Sequence, residues 1–236
     1  MSLPDSLAAA IAQAQAATQA AIDDGLIRLQ VELLFPELKV MPVAQQFVIP
    51  FEALSSDLRV IFPDAGNAAL ARRDWGEKPY PIRGIVDVKA NFLPTEKLFI
   101  FVEPSSVEVE RVEKLCQDAL DRPVVFLNPR LEDVATIGIG YAGRQLRERF
   151  LNLFQSSYYI RPLQGAVVYR CYPSPWQVWV EQDGEYQLVA EAPQRPMGEA
   201  LDQMLMRARG EDPTQQVLPK RGLLSNLQQF LRALSQ

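Results

Sequence analysis

The chain reads as an α/β protein: a mostly parallel, Rossmann-like sheet with helices on its faces and a C-terminal antiparallel hairpin extension. Three observations predict this. First, the apolar runs 58–62, 98–102 and 124–127 end at Pro63-Asp64, Glu103-Pro104-Ser105 and Asn128-Pro129. Unbroken apolar runs suit strands buried on both faces, and proline lacks the N–H that would extend a ladder. Second, helix signals follow two of these runs, and strands alternating with helices argue for parallel pairing. Third, the pattern changes after Gly165 to short strands joined by polar turns, which implies antiparallel hairpins.

The elements follow in order. Residues 5–24 are alanine-rich, with Leu7, Ile11 and Ile22 as larger apolar side chains; Pro4 and Asp5-Ser6 open a helix and Gly25 stops it. Ile27-Arg-Leu-Gln-Val-Glu-Leu33 alternates apolar and polar residues, which predicts a strand near 28–33 with one watered face. Residues 36–56 hold Pro36, Pro42 and Pro50 and read as an irregular excursion or short helices. Asp64 caps a helix over 65–74, and Ser105-Ser-Val-Glu108 forms a capping box for a helix to about Leu120. Between these units, 82–88 allows a short strand. Leu146, Phe150, Leu153 and Phe154 set the buried face of a helix over 144–157. Strands at 166–172, 176–180 and 186–190 precede a helix over 197–209 with Met197, Leu201, Met204 and Leu205 facing inward. The predicted organisation is an α/β domain over 1–209, a linker over 210–221 and an amphipathic helix over 222–236.

Composition narrows the function. The 236 residues are 48% hydrophobic, enough for a substantial core, and carry a net charge of −5, which argues against a nucleic-acid surface. No apolar run reaches the length of a membrane span, and the N-terminus lacks the pattern of a secretory signal, so a cytoplasmic location is expected. The chain has no histidine, which removes Ser-His-Asp and Cys-His catalysis and His-ligated zinc. Cys116 and Cys171 are too few for a disulfide framework; Cys116 shares a helical stripe with Val112, Leu115 and Ala119 and reads as a packing residue. No metal and no cofactor is expected, and neither the P-loop pattern nor G-x-S-x-G occurs.

Candidate sites lie at two places in the α/β domain. Gly138-Ile-Gly140-Tyr-Ala-Gly143 fits G-x-G-x-x-G between an apolar stretch and a helix, where backbone N–H groups can cradle a phosphate. Arg144 would add charge to an anion there, with Asn128 and Arg130 from the preceding strand end. A dinucleotide fold would place a carboxylate on the next strand, which instead offers Arg170. A tight turn with close packing accounts for the same letters. The other place is the row of strand ends, where Asp64 and Glu103 form a carboxylate pair able to hold a magnesium or to act as acid and base. The competing role for Asp64 and Ser105 is helix capping, worth about 1 kcal/mol each. Beyond the linker, Leu223, Leu227, Phe230, Leu231 and Leu234 make an apolar stripe that packing back on the domain, a partner protein or a membrane surface would bury.

The ordered motifs Phe62-Pro-Asp-Ala-Gly66, Ala71-Arg-Arg-Asp-Trp75, Asn128-Pro-Arg130, Gly138-Ile-Gly140, Gly143-Arg144, Arg147-Glu-Arg-Phe-Leu151, Tyr158-Tyr-Ile-Arg-Pro-Leu163 and Tyr172-Pro-Ser-Pro-Trp176 carry a resemblance. Together they resemble an uncharacterised-domain family of cyanobacteria and chloroplasts that includes the plant low-photosystem-II-accumulation factor number three. The resemblance covers roughly residues 5–205. It implies a protein of photosynthetic cells that helps build or maintain photosystems, with photosystem subunits or other assembly factors as partners and peripheral contact with the thylakoid membrane allowed. It supplies no catalytic residues. On this reading the protein is a non-enzymatic accessory or assembly factor; the alternative is a nucleotide- or phosphate-ester-binding enzyme using the Gly138–Gly143 turn.

Overall fold

The structure is a computed structural model, and it describes residues 2–87, 92–131 and 141–210. Gly138, Gly140 and the whole stripe from Leu223 to Leu234 lie outside the described residues. The elements, in chain order, are α1 (Leu7–Asp23), β1 (Arg28–Leu33), α2 (Val40–Val48), β2 (Leu58–Phe62), α3 (Ala65–Trp75), β3 (Ile82–Gly84), β4 (Leu98–Val102), α4 (Val109–Asp118), β5 (Val124–Leu127), α5 (Tyr141–Arg149), β6 (Gln155–Leu163), β7 (Ala166–Cys171), β8 (Trp176–Gln182), β9 (Glu185–Ala192) and α6 (Gly198–Ala208). The sheet order is β3-β2-β4-β5-β1-β6-β7-β8-β9. The pairs β3/β2, β2/β4, β4/β5 and β5/β1 are parallel, and β6/β7, β7/β8 and β8/β9 are antiparallel. The α/β class, the parallel strands at 28–33, 58–62, 98–102 and 124–127 and the closing antiparallel run are as the sequence predicts.

The described residues divide into two compact units: 18–32 with 39–157, and 2–17 with 33–38 and 158–210. The first holds the parallel strands. Its β2, β4 and β5 are buried along nearly their whole length. Ile61, Phe99, Phe101, Val124 and Phe126 meet Val112, Leu115 and Cys116 of α4, its C-cap Ala119, and Leu146 of α5. Phe62, one residue on and therefore on the other face, packs edge-on against Trp75 of α3. Burial pushes the Cys116 thiol up, away from reactivity, which fits a packing residue.

Local rules set the helix ends. Ser6 Oγ accepts from the Ala9 N–H, and α1 stops at Gly25 (φ 83°), where Gly25 and Leu26 donate to the carbonyls of Ile22 and Ala21. That pair of bonds is a Schellman motif. At the far end of α4 two arginines meet the last carbonyls: Arg28 donates to Cys116 and Leu120 (2.8 and 2.6 Å), and Arg122 to Asp118 and Ala119 (2.9 and 3.0 Å). Their charge also suits the negative end of the helix.

Several boundaries differ from expectation. The helix over 144–157 is shorter: α5 ends at Arg149, Leu151–Leu153 is a 3-10 turn, and β6 begins at Gln155. Phe150 and Phe154 are buried as expected, but in a turn, with Phe154 stacked on Phe126 at 3.9 Å, and Leu153 is exposed. β6 itself is an additional strand. Its Tyr158, Tyr159 and Ile160 are buried, and so are Ser156 and Ser157, which break both the alternating and the apolar pattern. The Ser105 capping box closes a 3-10 turn over Ser106–Glu108 before α4, with the Glu108 carboxylate accepting from Ser105 Oγ.

In the second unit, α6 lies over one face of the antiparallel strands. Leu201, Met204 and Leu205 pack with Tyr159, Val168, Trp176 and Val178. Met197 is exposed instead of inward, because α6 begins only at Gly198 and Met197 is its N-cap. On the α1 side, Gln13 Oε1 accepts from the hydroxyls of Tyr158 and Tyr169 at 3.1 and 2.8 Å.

Candidate functional site

In a parallel α/β sheet, ligand sites gather beyond the carboxyl ends of the strands, where successive crossovers leave in opposite directions. Here β2 leads outward through α3 to β3, and β4 leads the other way through α4 to β5. The fork therefore falls between the ends of β2 and β4, which places the predicted Asp64 and Glu103 on its two sides.

Asp64 is fully engaged by its own helix. One carboxylate oxygen accepts from the Asn67 N–H at 2.8 Å and the other from Asn67 Nδ2 at 2.7 Å. Gly84, at the end of β3, lets this corner close: a Cβ there would lie 2.7 Å from both the Ala65 nitrogen and the Asp64 carbonyl carbon.

Glu103 and Asn128 end β4 and β5. Their N–H groups carry the ladders one residue further, to Leu127 O and Val31 O, each at 2.8 Å. Both then adopt left-handed φ values, 47° and 48°. After Pro104 and Pro129 the chains pair again: Arg130 N–H donates to Pro104 O, Ser106 N–H donates to Arg130 O, and Ser105 and Arg130 form a parallel bridge. The outcome is two matched corners that bring Glu103, Ser105, Asn128 and Arg130 together. The Arg130 guanidinium forms an ion pair with Glu103. Arg130 is largely exposed, so this pair adds at most about 1 kcal/mol. Asn128 is buried.

Sequence reasoning thus finds the residues at the strand ends and misses how they pair, since cross-strand register carries no local signal. Asp64 and Glu103 have separate partners, and neither forms a hydrogen bond with the other. Gly143 lies inside α5, and is buried there, instead of in the turn before a helix starting at 144, because the helix begins at Tyr141. Arg144 is exposed on the same helix, while Arg149 makes a two-pronged bond to Glu113 at 2.8 and 2.9 Å. Beside the corners, a groove of about 750 Å³ runs between Ile85-Val86 and the start of α4, lined by Ser106, Glu108, Arg111 and Lys114 among others. Its mixed charge selects no single ligand class. No group of three or more His, Cys, Asp or Glu able to hold a metal occurs among the described residues. No described helix is long and apolar enough to cross a membrane.

No curated protein and no solved structure matches the chain. One family does, over residues 4–203, nearly the whole α/β region described above. The chain belongs to that family, the domain of unknown function DUF1995.

Proposed function

We propose that this protein is a non-enzymatic accessory or assembly factor in photosystem biogenesis or maintenance, working by protein–protein contacts on the cytoplasmic side of the thylakoid membrane. The photosynthetic setting comes from the motif resemblance. The observation that carries a contact role is the outer end of the sheet. Among the described residues β9 is an edge strand, and on the face away from α6 it presents Leu188, 43% exposed, beside the partly buried Trp179 and Tyr186. An edge with these apolar side chains in its middle, flanked by Glu185 and Glu191 and without lysine or proline, offers a template for a partner strand or surface. The stripe at Leu223, Leu227, Phe230, Leu231 and Leu234 is the second contact element of this reading. The enzymatic alternative draws no support from Asp64 or Glu103, whose carboxylates are taken up by a helix cap and an ion pair.

The test is affinity purification of the full chain from a photosynthetic cell, with wild type beside Leu188→Asp. Photosystem subunits or assembly factors should co-purify with wild type and be lost with the variant, at unchanged melting temperature. Co-purification of neither class with wild type refutes the reading.

A further inference from the structure

The amino ends of the parallel strands carry a largely apolar pocket of about 250 Å³. Its walls come from several places in the unit that holds those strands. Ile22 belongs to the last turn of α1, and Phe51 and Leu54 to the 3-10 segment Ile49–Asp57. Leu98 opens β4, and Pro123 directly precedes β5. Phe51 and Leu98 are buried, whereas Ala53, also on the wall, is exposed, so the pocket opens to solvent. The polar side chains that line it are Gln19 and Lys97.

One wall is held in place by the fold. The 3-10 segment is kinked at Ser55, whose φ of 50° and ψ of −127° are strained for a residue with a Cβ. Its far end is tied to the start of β4 twice. The Lys97 N–H donates to Asp57 O at 2.7 Å, and Lys97 Nζ pairs with Asp57 Oδ2 at 2.8 Å. These ties fix the 3-10 wall against the strand that forms the opposite one. Apolar walls left facing water gain by being covered.

Size and charge define what would cover them. An apolar cavity of ~150 Å³ takes benzene, so this pocket suits roughly ten non-hydrogen atoms, the size of two fused rings. Asp57 already neutralises Lys97, so the pocket favours no anion; a carboxylate would have to leave water beside another carboxylate. An ammonium group has three donors, and those that Asp57 does not take can bond an uncharged oxygen.

We propose that this pocket binds an uncharged small molecule of the aromatic alcohol or ketone class, with its rings against Ile22, Phe51, Leu54 and Leu98 and its oxygen on Lys97. The site lies at the opposite end of the strands from Glu103 and Asn128, and it does not depend on the accessory role.

Equilibrium dialysis of the full chain near neutral pH, read by naphthalene fluorescence, tests this with 2-naphthol, naphthalene and 2-naphthoate. 2-Naphthol should bind with a Kd below about 1 mM, the range open to a ligand of this size. Naphthalene should bind more weakly for want of the oxygen, and 2-naphthoate at least about tenfold more weakly because of its charge. Ala53→Phe fills the pocket from its exposed wall and should lower 2-naphthol affinity at least about tenfold at unchanged melting temperature. Lys97→Met keeps the apolar stem and loses the donors, so 2-naphthol and naphthalene should then bind alike. The proposal is overturned by no binding of 2-naphthol to wild type in this range, by 2-naphthoate binding as tightly, by unchanged affinity in Ala53→Phe, or by a lead of 2-naphthol over naphthalene that persists in Lys97→Met.

Discussion

Glu103 and Asn128 stand level on neighbouring parallel strands and turn through the same left-handed backbone conformation. The register Val102↔Leu127 places them side by side, and their φ values differ by one degree. Asparagine enters this region readily, and glutamate does so at a cost of roughly 1–2 kcal/mol. The two corners must turn together because Arg130 then bonds back to Pro104 and Ser106. A change at one is therefore felt at the other.

Asn128→Val puts a β-branched side chain where φ is 48°. It should destabilise the protein by about 1–3 kcal/mol, while Asn128→Gly should cost less. Urea unfolding of the two variants decides; an equal loss in both would mean that the Asn128 side chain, and not the backbone turn, is what matters.

Asp64 separates a cap from a catalytic group. Asparagine is as good an N-cap as aspartate, and alanine is not. Asp64→Asn should match wild-type stability, and Asp64→Ala should lose about 1 kcal/mol. Equal losses in both, read by denaturant midpoint, would show that the negative charge itself is needed.

Glu96 is 1% exposed and forms an ion pair with Arg59, which lies over the Phe92 ring at 5.3 Å. Removing one partner strands the other charge. Glu96→Ala should cost about 3–5 kcal/mol, and the double change Arg59→Met with Glu96→Leu should recover most of it. A double variant as unstable as the single one would show that the Glu96 bond to the Leu93 N–H (2.7 Å) dominates instead.

Glu52 gives an acid-side signature. Burial works to raise its carboxyl, but hydrogen bonds from Lys78 (2.7 Å) and Tyr80 (2.9 Å) outweigh it and hold the pKa below the ordinary value. A depressed folded-state pKa means that the unfolded chain takes up the proton first as pH falls. The contribution is therefore present above the ordinary glutamate range, near pH 4.5, and is lost as pH drops through the lower folded value. The stability gap between wild type and Glu52→Gln should shrink steadily below about pH 4.5. A gap constant down to pH 3 would sink the assignment.

How much was readable in the chain follows from where each signal resides. β2, β4 and β5 announce themselves because they are buried on both faces and stop at prolines. Asp64 and Ser105 are readable because caps are local, within three residues. β6 hides because buried serines interrupt it: Ser157 Oγ is hydrogen-bonded with Thr18 Oγ1 at 3.1 Å, a partner 139 residues away. The same limit applies to the Glu103–Arg130 pair and to the packed rings of Tyr159 and Trp176. Each depends on strand register, which only the assembled sheet defines.

The place of β1 in the sheet bears on how the chain is made. β1 precedes β2, β3 and β4 in the chain, yet it pairs with β5. Arg28, at its start, hydrogen-bonds the carbonyl of Arg122, 94 residues later. At about 5–20 residues per second, roughly 5–20 s separate the appearance of that strand from its first partner. Through that interval the nascent chain carries a half-apolar strand whose β5 edge is open. Slowed translation before β5 should therefore expose the newborn protein to aggregation, or to chaperone capture, more than the same delay after β5.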